Sequence, residues 1–373
     1  LMSGTSGDGV DTSLSNTDGK NVFTPISDKY YKYPAHIKNK YHSIVDKLKH
    51  NKNLKGLKPE IIELERILTM FNLKIIQDIK KNSKISIDLI GYHGQTIYHN
   101  PKKGISRQLG NGKLLSKLLN IKVVYNFRQN DILNGGQGAP LTPIFHVMLS
   151  NKLNLNSAVI LNIGGILNAT TIFDDGSFLA TDIGPGMCLI DKWIRLNSKL
   201  KFDNQGLISS RGQIHMNLNF ELENFFHFEQ KKLNENYIKS FDINDFDLAF
   251  VRGLNLENGA ATLIEYTAKI IFDYFSYIIK KMEKFKNKPV FILCGGGRHN
   301  KFLLERLKFN LRKNKFFKNQ KKYFNVIDYY GIDGDFIESQ AFAYIAVRSV
   351  LNLPISFPHT TGCKKECTGG VVI

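Results

Sequence analysis

Three times along this chain a polar or apolar run gives way to a cluster of glycines. The clusters are Ser3-Gly4-Thr5-Ser6-Gly7-Asp8-Gly9, Asn162-Ile163-Gly164-Gly165-Ile166 and Cys294-Gly295-Gly296-Gly297. Glycine lacks a Cβ, so backbone N–H groups in such a turn can approach a phosphate closely. The N-terminus of a following helix adds a dipole that favours anions. One glycine pair after a strand is usually a tight turn. Three in one chain, each beside a polar residue, point to a nucleotide. No Gly-Lys-Ser/Thr follows any of them, so none is a Walker A loop, and none is a dinucleotide fingerprint.

The segments around these clusters alternate in period. Helical spacing of Ile62, Leu64, Ile67, Leu68, Phe71, Ile75 and Ile76 predicts a helix over Pro59–Lys80. Further helices are expected over Lys113–Asn120, Met187–Leu196, Ala260–Met282 and Ile337–Leu351. Short apolar runs predict strands at Ile85–Gly91, Lys122–Phe127, Ser157–Leu161, Ser177–Ala180 and Pro289–Leu293. Strands alternating with helices give a mixed α/β class. Met2–Asp11 reads as a loop, and Tyr30–Asn53 as a basic, polar stretch. Asn134-Gly135-Gly136-Gln137-Gly138-Ala139-Pro140 reads as a hinge. At 373 residues the chain exceeds the size at which one core stops growing, so two domains are expected.

Composition excludes some classes. Hydrophobic residues are 42% and charged residues 23%, as in globular proteins. No apolar run reaches the length of a membrane helix; the most apolar, Ala260–Ile279, carries Glu265, Lys269 and Asp273 and reads as amphipathic. The net charge of +18 is mostly lysine in polar stretches, without a nucleic-acid motif, so a nucleic-acid partner is not expected. No signal peptide pattern opens the chain, which begins with Leu1 rather than Met. Cys188, Cys294, Cys363 and Cys367 are expected to be reduced thiols of a cytoplasmic protein. Cys363 and Cys367 have no second Cys/His pair nearby and carry no zinc motif.

A larger ordered set of motifs surrounds the glycine clusters. It comprises Ser3-Gly4-Thr5-Ser6-x-Asp8-Gly9-x-Asp11, His93-Gly94-Gln95-Thr96, Asn126-Phe127-Arg128 with Asp131, and Gly135-Gly136-Gln137-Gly138-Ala139-Pro140. Asn162-Ile163-Gly164-Gly165-Ile166, Asp182-x-Gly184-Pro185-Gly186 and Cys294-Gly295-Gly296-Gly297-x-His299-Asn300 follow. Glu338-x-x-Ala341-Phe342-Ala343 and Thr361-Gly362 close it. In content and order the set resembles the anhydro-N-acetylmuramic acid kinase family across the whole chain. The resemblance implies a two-lobed actin-like ATPase fold, ribonuclease H-like, with ATP in an interdomain cleft. Expected lobes are residues 1–132 with 344–373, and 133–343. The implied reaction opens the bridge of 1,6-anhydro-N-acetylmuramic acid with water and phosphorylates its 6-oxygen from ATP. The products are N-acetylmuramic acid 6-phosphate, an intermediate of cell-wall recycling, and ADP. A homodimer and Mg²⁺ are implied by resemblance too.

The family's catalytic base maps onto Asp182, at the end of an expected strand; the alternative is a helix-capping Asp. Gly4, Thr5, Ser6, Gly7, Asp8, Gly9 and Asp11 are expected around the phosphates, with Asp8 or Asp11 positioning hydrated magnesium, or else as a polar turn. Asn162, Gly164 and Gly165 are expected to form a second phosphate loop. Gly295, Gly296 and Gly297 pass the adenosine, with Asn300 capping the next helix. Glu338 faces the nucleotide or solvent. His93, Gln95, Arg128, Asp131, Gly184 and Pro185 are candidate sugar ligands, Arg128 suiting the lactyl carboxylate. His146 has no assigned role beyond the core.

Three positions depart from the family pattern. Gly7 stands where a larger apolar residue is usual, which is expected to loosen the first loop. Asn111 and Asn126 stand where Asp is usual, near the expected sugar site. They keep two alternatives open: a related kinase of another sugar, and an inactive nucleotide-binding relative.

Overall fold

The computed structural model describes residues 1–4, 6–51, 54–218, 241, 243–282, 286–319 and 323–373. They form a mixed α/β fold of two compact units, Leu1–Met148 with Phe336–Ile373, and Leu149–Asp335. Residues 133–148 and 336–343 thus pack within the first unit. The reason is local: the Gly135–Gly138 turn is bonded to Asp131 and Thr361, which belong to that unit.

In the first unit, β1 (Gly9–Thr17) and β2 (Phe23–Lys32) form an antiparallel ribbon. Much of β2 faces solvent, so its apolar alternation is weak in the sequence. Helices α1 (Ala35–Asn51) and α2 (Lys58–Ser83) follow. β3 (Leu89–Tyr92) pairs in parallel with β6 (Lys122–Tyr125), and β12 (Val371–Val372) adds antiparallel to β6. β4 (Gln95–Asn100) and β5 (Ile105–Leu109) make a separate hairpin. α3 (Gly112–Leu119) and α4 (Gln129–Leu133) flank β6. α5 (Pro143–Lys152) contains the change of unit, between Met148 and Leu149. Helix α9 (Ile337–Val350) lies close on β3, because a Cβ on Gly91 would sit 2.4 Å from the Phe342 carbonyl.

The second unit is built on one five-stranded sheet, ordered β11-β10-β7-β8-β9. Here β7 (Ala158–Ile163), β8 (Ile166–Ile172) and β9 (Phe178–Pro185) run antiparallel in sequence. β10 (Val290–Cys294) and β11 (Phe324–Val326) add in parallel on the β7 side. This strand order is that of ribonuclease H-like folds, the class expected from the sequence. β7 and β10 are near-continuous apolar runs, as strands covered on both faces require. Helices α6 (Cys188–Asn197), α7 (Leu256–Lys281) and α8 (Lys301–Leu311) surround the sheet. α7 begins where Asn255 caps Asn258 N–H at 2.8 Å. It then buries Leu263, Ile264, Ile271 and Phe275 fully, each contributing about 1.5–3 kcal/mol.

One expectation about α7 is corrected. Glu265 does not mark a solvated face but is fully buried. It accepts from Arg306 Nε at 2.6 Å and Asn310 Nδ2 at 3.2 Å. A charge there is tolerated because both partners come with it.

Candidate active site

In the second unit one cross-strand row joins three polar side chains. Asn162 on β7 is opposite Asn168 on β8, and Asn168 is opposite Asp182 on β9. Directly opposed residues share a face of a sheet, so the three side chains stand on one side. With strands about 4.8 Å apart, the row spans about 10 Å from Asn162 to Asp182. Asn168 Nδ2 donates to Asp182 Oδ1 at 2.8 Å, and the Phe241 N–H donates to Asp182 Oδ2 at 2.9 Å. The Asp182 carboxyl is half-buried. Burial pushes its pKa up to about 6, and the two hydrogen bonds work against that rise.

A β-bulge sits next to Asp182. Leu167 opposes Gly184 while Asn168 opposes Asp182, so Ile183 is the extra residue. Bulges re-aim side chains beside active sites. Gly184, at φ 151°, relieves the backbone there, and Pro185 ends the strand. Asp182 therefore lies within β9, beside the bulge and not past the strand's end as expected; α6, whose N-cap is Met187, has no side-chain cap.

The glycine clusters of this unit divide into two kinds. Gly295 and Gly297 are required by packing: a Cβ would meet Asn162 Oδ1 at 2.1 Å and Ile163 Cγ2 at 2.2 Å respectively. Gly296 has open space, and Gly164 and Gly165 would make only ordinary contacts, with nothing closer than 3.5 Å to an added Cβ. The Gly164 and Gly165 carbonyls are taken up by Met187 N–H and Gly186 N–H, both at 2.9 Å. This locks the hairpin to the Gly184–Gly186 turn and leaves bare backbone facing outward. Asn300 caps α8 as expected, its Oδ1 accepting from Leu303 N–H at 2.9 Å. Arg298, which no sequence motif flagged, anchors the same loop. Its buried guanidinium donates to Asp328 at 2.7 and 2.9 Å, to Asp335 at 2.5 Å and to the Gly295 carbonyl at 3.1 Å.

In the first unit, His93 Nδ1 donates to the Gly94 carbonyl at 2.8 Å. Its Nε2 then accepts from Arg128 Nη2 at 2.9 Å and Nε at 3.2 Å. Burial and the Arg128 charge hold His93 well below the usual histidine range, so it stays neutral. Arg128 Nη1 also donates to Gly138 O at 2.7 Å. Burial pulls Arg128 down, while the Glu338 and Asp131 charges support it. Glu338 therefore lies near Arg128, half-buried in the first turn of α9.

Asp131 is buried and is not a surface partner of Arg128. It accepts from Gly138 N–H and Thr361 Oγ1, both at 2.6 Å. Gln95 donates to the Gly4 carbonyl at 2.8 Å, tying β4 to the first glycine cluster. In that cluster Gly4 is open and Ser6 exposed. Gly9 is packed against Tyr31 O, and Asp11 exchanges backbone bonds with Met2. Asp8 pairs with Lys38. Thr5 lies outside the described residues.

The three departures acquire structural reasons. Gly7 does not leave a loose loop: the Tyr41 ring fills the space, 2.1 Å from where a Cβ would be, and Gly7 adopts φ 61°. Asn111 caps α3, accepting from Leu114 N–H at 2.9 Å, a task Asn performs as well as Asp. Asn126 holds φ 57°, a left-handed conformation that Asn tolerates.

With this geometry in place, comparison with known proteins is decisive. The family model for anhydro-N-acetylmuramic acid kinase matches residues 1–373. The chain belongs to the anhydro-N-acetylmuramic acid kinase family. The anhydro-N-acetylmuramic acid kinase of Pelagibacter ubique (strain HTCC1062) is 46% identical, over 100% of this chain and 97% of its own. That of Zymomonas mobilis is 36% identical, over 99% and 97%. Among solved structures, the activator of the 2-hydroxyisocaproyl-CoA dehydratase from Clostridium difficile with bound ADPNP has a TM-score of 0.30 and 14% identity. That likeness covers 52% of this chain and 61% of the activator. As a member of the anhydro-N-acetylmuramic acid kinase family the chain is a phosphotransferase acting on an alcohol group.

Proposed function

We propose that this kinase uses ATP to convert 1,6-anhydro-N-acetylmuramic acid to N-acetylmuramic acid 6-phosphate, releasing ADP. The observation that carries the reading is Asp182, a half-buried carboxylate beside the β9 bulge, raised to about 6 and held by Asn168 in one row with Asn162.

A base of that pKa is ionised at neutral pH yet more basic than an ordinary carboxylate. Asp182 takes a proton from water as the water oxygen bonds to the anomeric carbon. The bond from that carbon to the 6-oxygen breaks, and the 6-oxygen keeps the electron pair. That oxygen attacks the γ-phosphorus of ATP, and ADP departs. Asn168 and the Phe241 N–H keep both carboxylate oxygens oriented.

The open backbone at Gly164, Gly165 and Gly296 suits phosphate oxygens, as does that at Gly4 with Ser6. Asn162, Gly295, Gly297 and Asn300 hold the second-unit loops in shape, and Gly7, Gly9 and Asp11 the first. Asp8 would suit a hydrated Mg²⁺ as a part-exposed hard oxygen donor, in exchange for its ion pair with Lys38. Bound there, magnesium would neutralise charge on the transferring phosphoryl group.

On the sugar side, Arg128 is fixed by His93 and Gly138 and keeps N–H groups on both terminal nitrogens for the lactyl carboxylate. Asp131 and Gln95 act through the loops they tie, and Gly184 and Pro185 flank the base. Glu338 supports the Arg128 charge. Asn111 and Asn126 serve backbone roles, which favours the family substrate over another sugar. From the family resemblance, the enzyme works in the cytoplasm as a homodimer.

Coupled ADP release tests the reading. Turnover with 1,6-anhydro-N-acetylmuramic acid and a 6-phosphorylated, ring-opened product supports it. ATP binding without turnover, or turnover only with other sugars, contradicts it.

A further inference from the structure

The fold brings together three side chains that lie far apart in sequence. Asp131 at α4 and the thiols of Cys363 and Cys367 are all buried. Their ligand atoms, one carboxylate oxygen and two sulfurs, all lie within 4.8 Å of one another. Tetrahedral zinc takes sulfur at about 2.3 Å and carboxylate oxygen at about 2.0–2.2 Å, so donors around one ion are separated by roughly this range or somewhat less.

The cluster is held from several sides. Thr361 Oγ1 and Gly138 N–H fix the Asp131 carboxylate. Gln137 N–H donates to Thr361 O at 2.8 Å and Lys364 N–H to Asn134 O at 3.0 Å, so the cysteine loop is tethered to the Gly135–Gly138 turn. Cys367 is fixed by backbone exchange with Ser356. The fully buried Ser356 hydroxyl lies against the Cys367 sulfur, which itself donates to the Lys365 carbonyl at 3.1 Å.

We propose that Asp131, Cys363 and Cys367 form a binding site for one thiophilic divalent cation of the zinc class. Each thiol loses its proton as its sulfur coordinates, so binding releases about two protons per ion. The carboxylate has lone pairs enough to coordinate while still accepting from Thr361 and Gly138. Because Gly138 O also accepts from Arg128, an ion here stiffens the turn that holds that guanidinium.

The test is independent of turnover. The full chain, reduced and stripped of metal by a chelator, is titrated with cobalt(II) without oxygen. A thiolate-to-cobalt charge-transfer absorption that saturates at one equivalent and is displaced by zinc is expected. Cys363→Ser and Cys367→Ser should each abolish it, while Cys188→Ser should not. Asp131→Asn should weaken binding about tenfold or more. No such band in the wild-type chain, or a band surviving in the Cys363→Ser/Cys367→Ser double variant, overturns the site. Unchanged affinity in Asp131→Asn overturns the three-ligand set. Should a variant fail to fold, proton release on adding zinc to the wild-type chain decides: about two protons support the site, none overturns it.

Discussion

Asn168 stands directly across the β8–β9 pairing from Asp182 and donates its amide to one carboxylate oxygen at 2.8 Å. A hydrogen bond to the charged form favours ionisation, whereas burial opposes it, and burial is the larger effect. The pair thus sets how basic Asp182 is as well as where it points.

Replacing the donor by a second acid should push Asp182 further. In Asn168→Asp the lost hydrogen bond and the added like charge both raise its pKa. The acid limb of the kcat profile is expected to move up by about one pH unit or more. Asn168→Ala should move it up less and lower kcat through looser orientation. A limb that stays in place in both variants argues against this coupling. The kcat profile against pH reads it.

In the wild-type enzyme the same limb is expected near pH 6, with activity rising as Asp182 ionises. Stability should run the other way. The native state holds the Asp182 proton more tightly than the unfolded chain does. This contribution is therefore fully present below about pH 4 and lost as pH rises through about 6. Asp182→Asn should accordingly raise Tm more at pH 7.5 than at pH 4. Calorimetry at the two pH values checks the sign.

Arg128 should act on the sugar and not on ATP. Arg128→Lys keeps a charge but loses the fork that His93 and Gly138 orient. Its KM for the anhydro sugar is expected to rise about tenfold or more, with the KM for ATP within about twofold, which corresponds to at least about 1.4 kcal/mol of sugar binding. Equal changes in both constants would count against the assignment. Steady-state kinetics with each substrate varied separates them.

Gly7→Ala should be costly although the change is small. Its Cβ would overlap the Tyr41 ring, and its φ of 61° is strained for alanine. A destabilisation of about 1–3 kcal/mol is expected. The Gly7→Ala/Tyr41→Ala double variant should recover the steric part and not the backbone part. Denaturant titration of the three variants measures it.

The second-unit loops were readable from their glycines, of which Gly295 and Gly297 are needed for packing on the end of β7 while Gly164 and Gly165 meet no such constraint. Asp182 was readable for its place before Gly184-Pro185-Gly186, although β9 runs past it to Pro185. Asn168 was not, since Asn within a strand looks like any solvent-facing residue until the hairpin register sets it opposite Asp182. The only available signal was the Gly164-Gly165 turn, which fixes that register. β1, β2, α1, β4, β5 and β8 are hard to read locally because polar or half-exposed faces blur their periodicity. Tyr41 over Gly7, and Asp131 beside Cys363 and Cys367, are tertiary meetings that no local window contains.

The central claim is that Asp182 is the base, and Asp182→Asn measures it most directly. ATP affinity, read by equilibrium titration, should stay within about twofold. Turnover of 1,6-anhydro-N-acetylmuramic acid should fall by about 10²–10⁴. Turnover close to that of the wild-type enzyme, with ATP binding intact, would contradict the account.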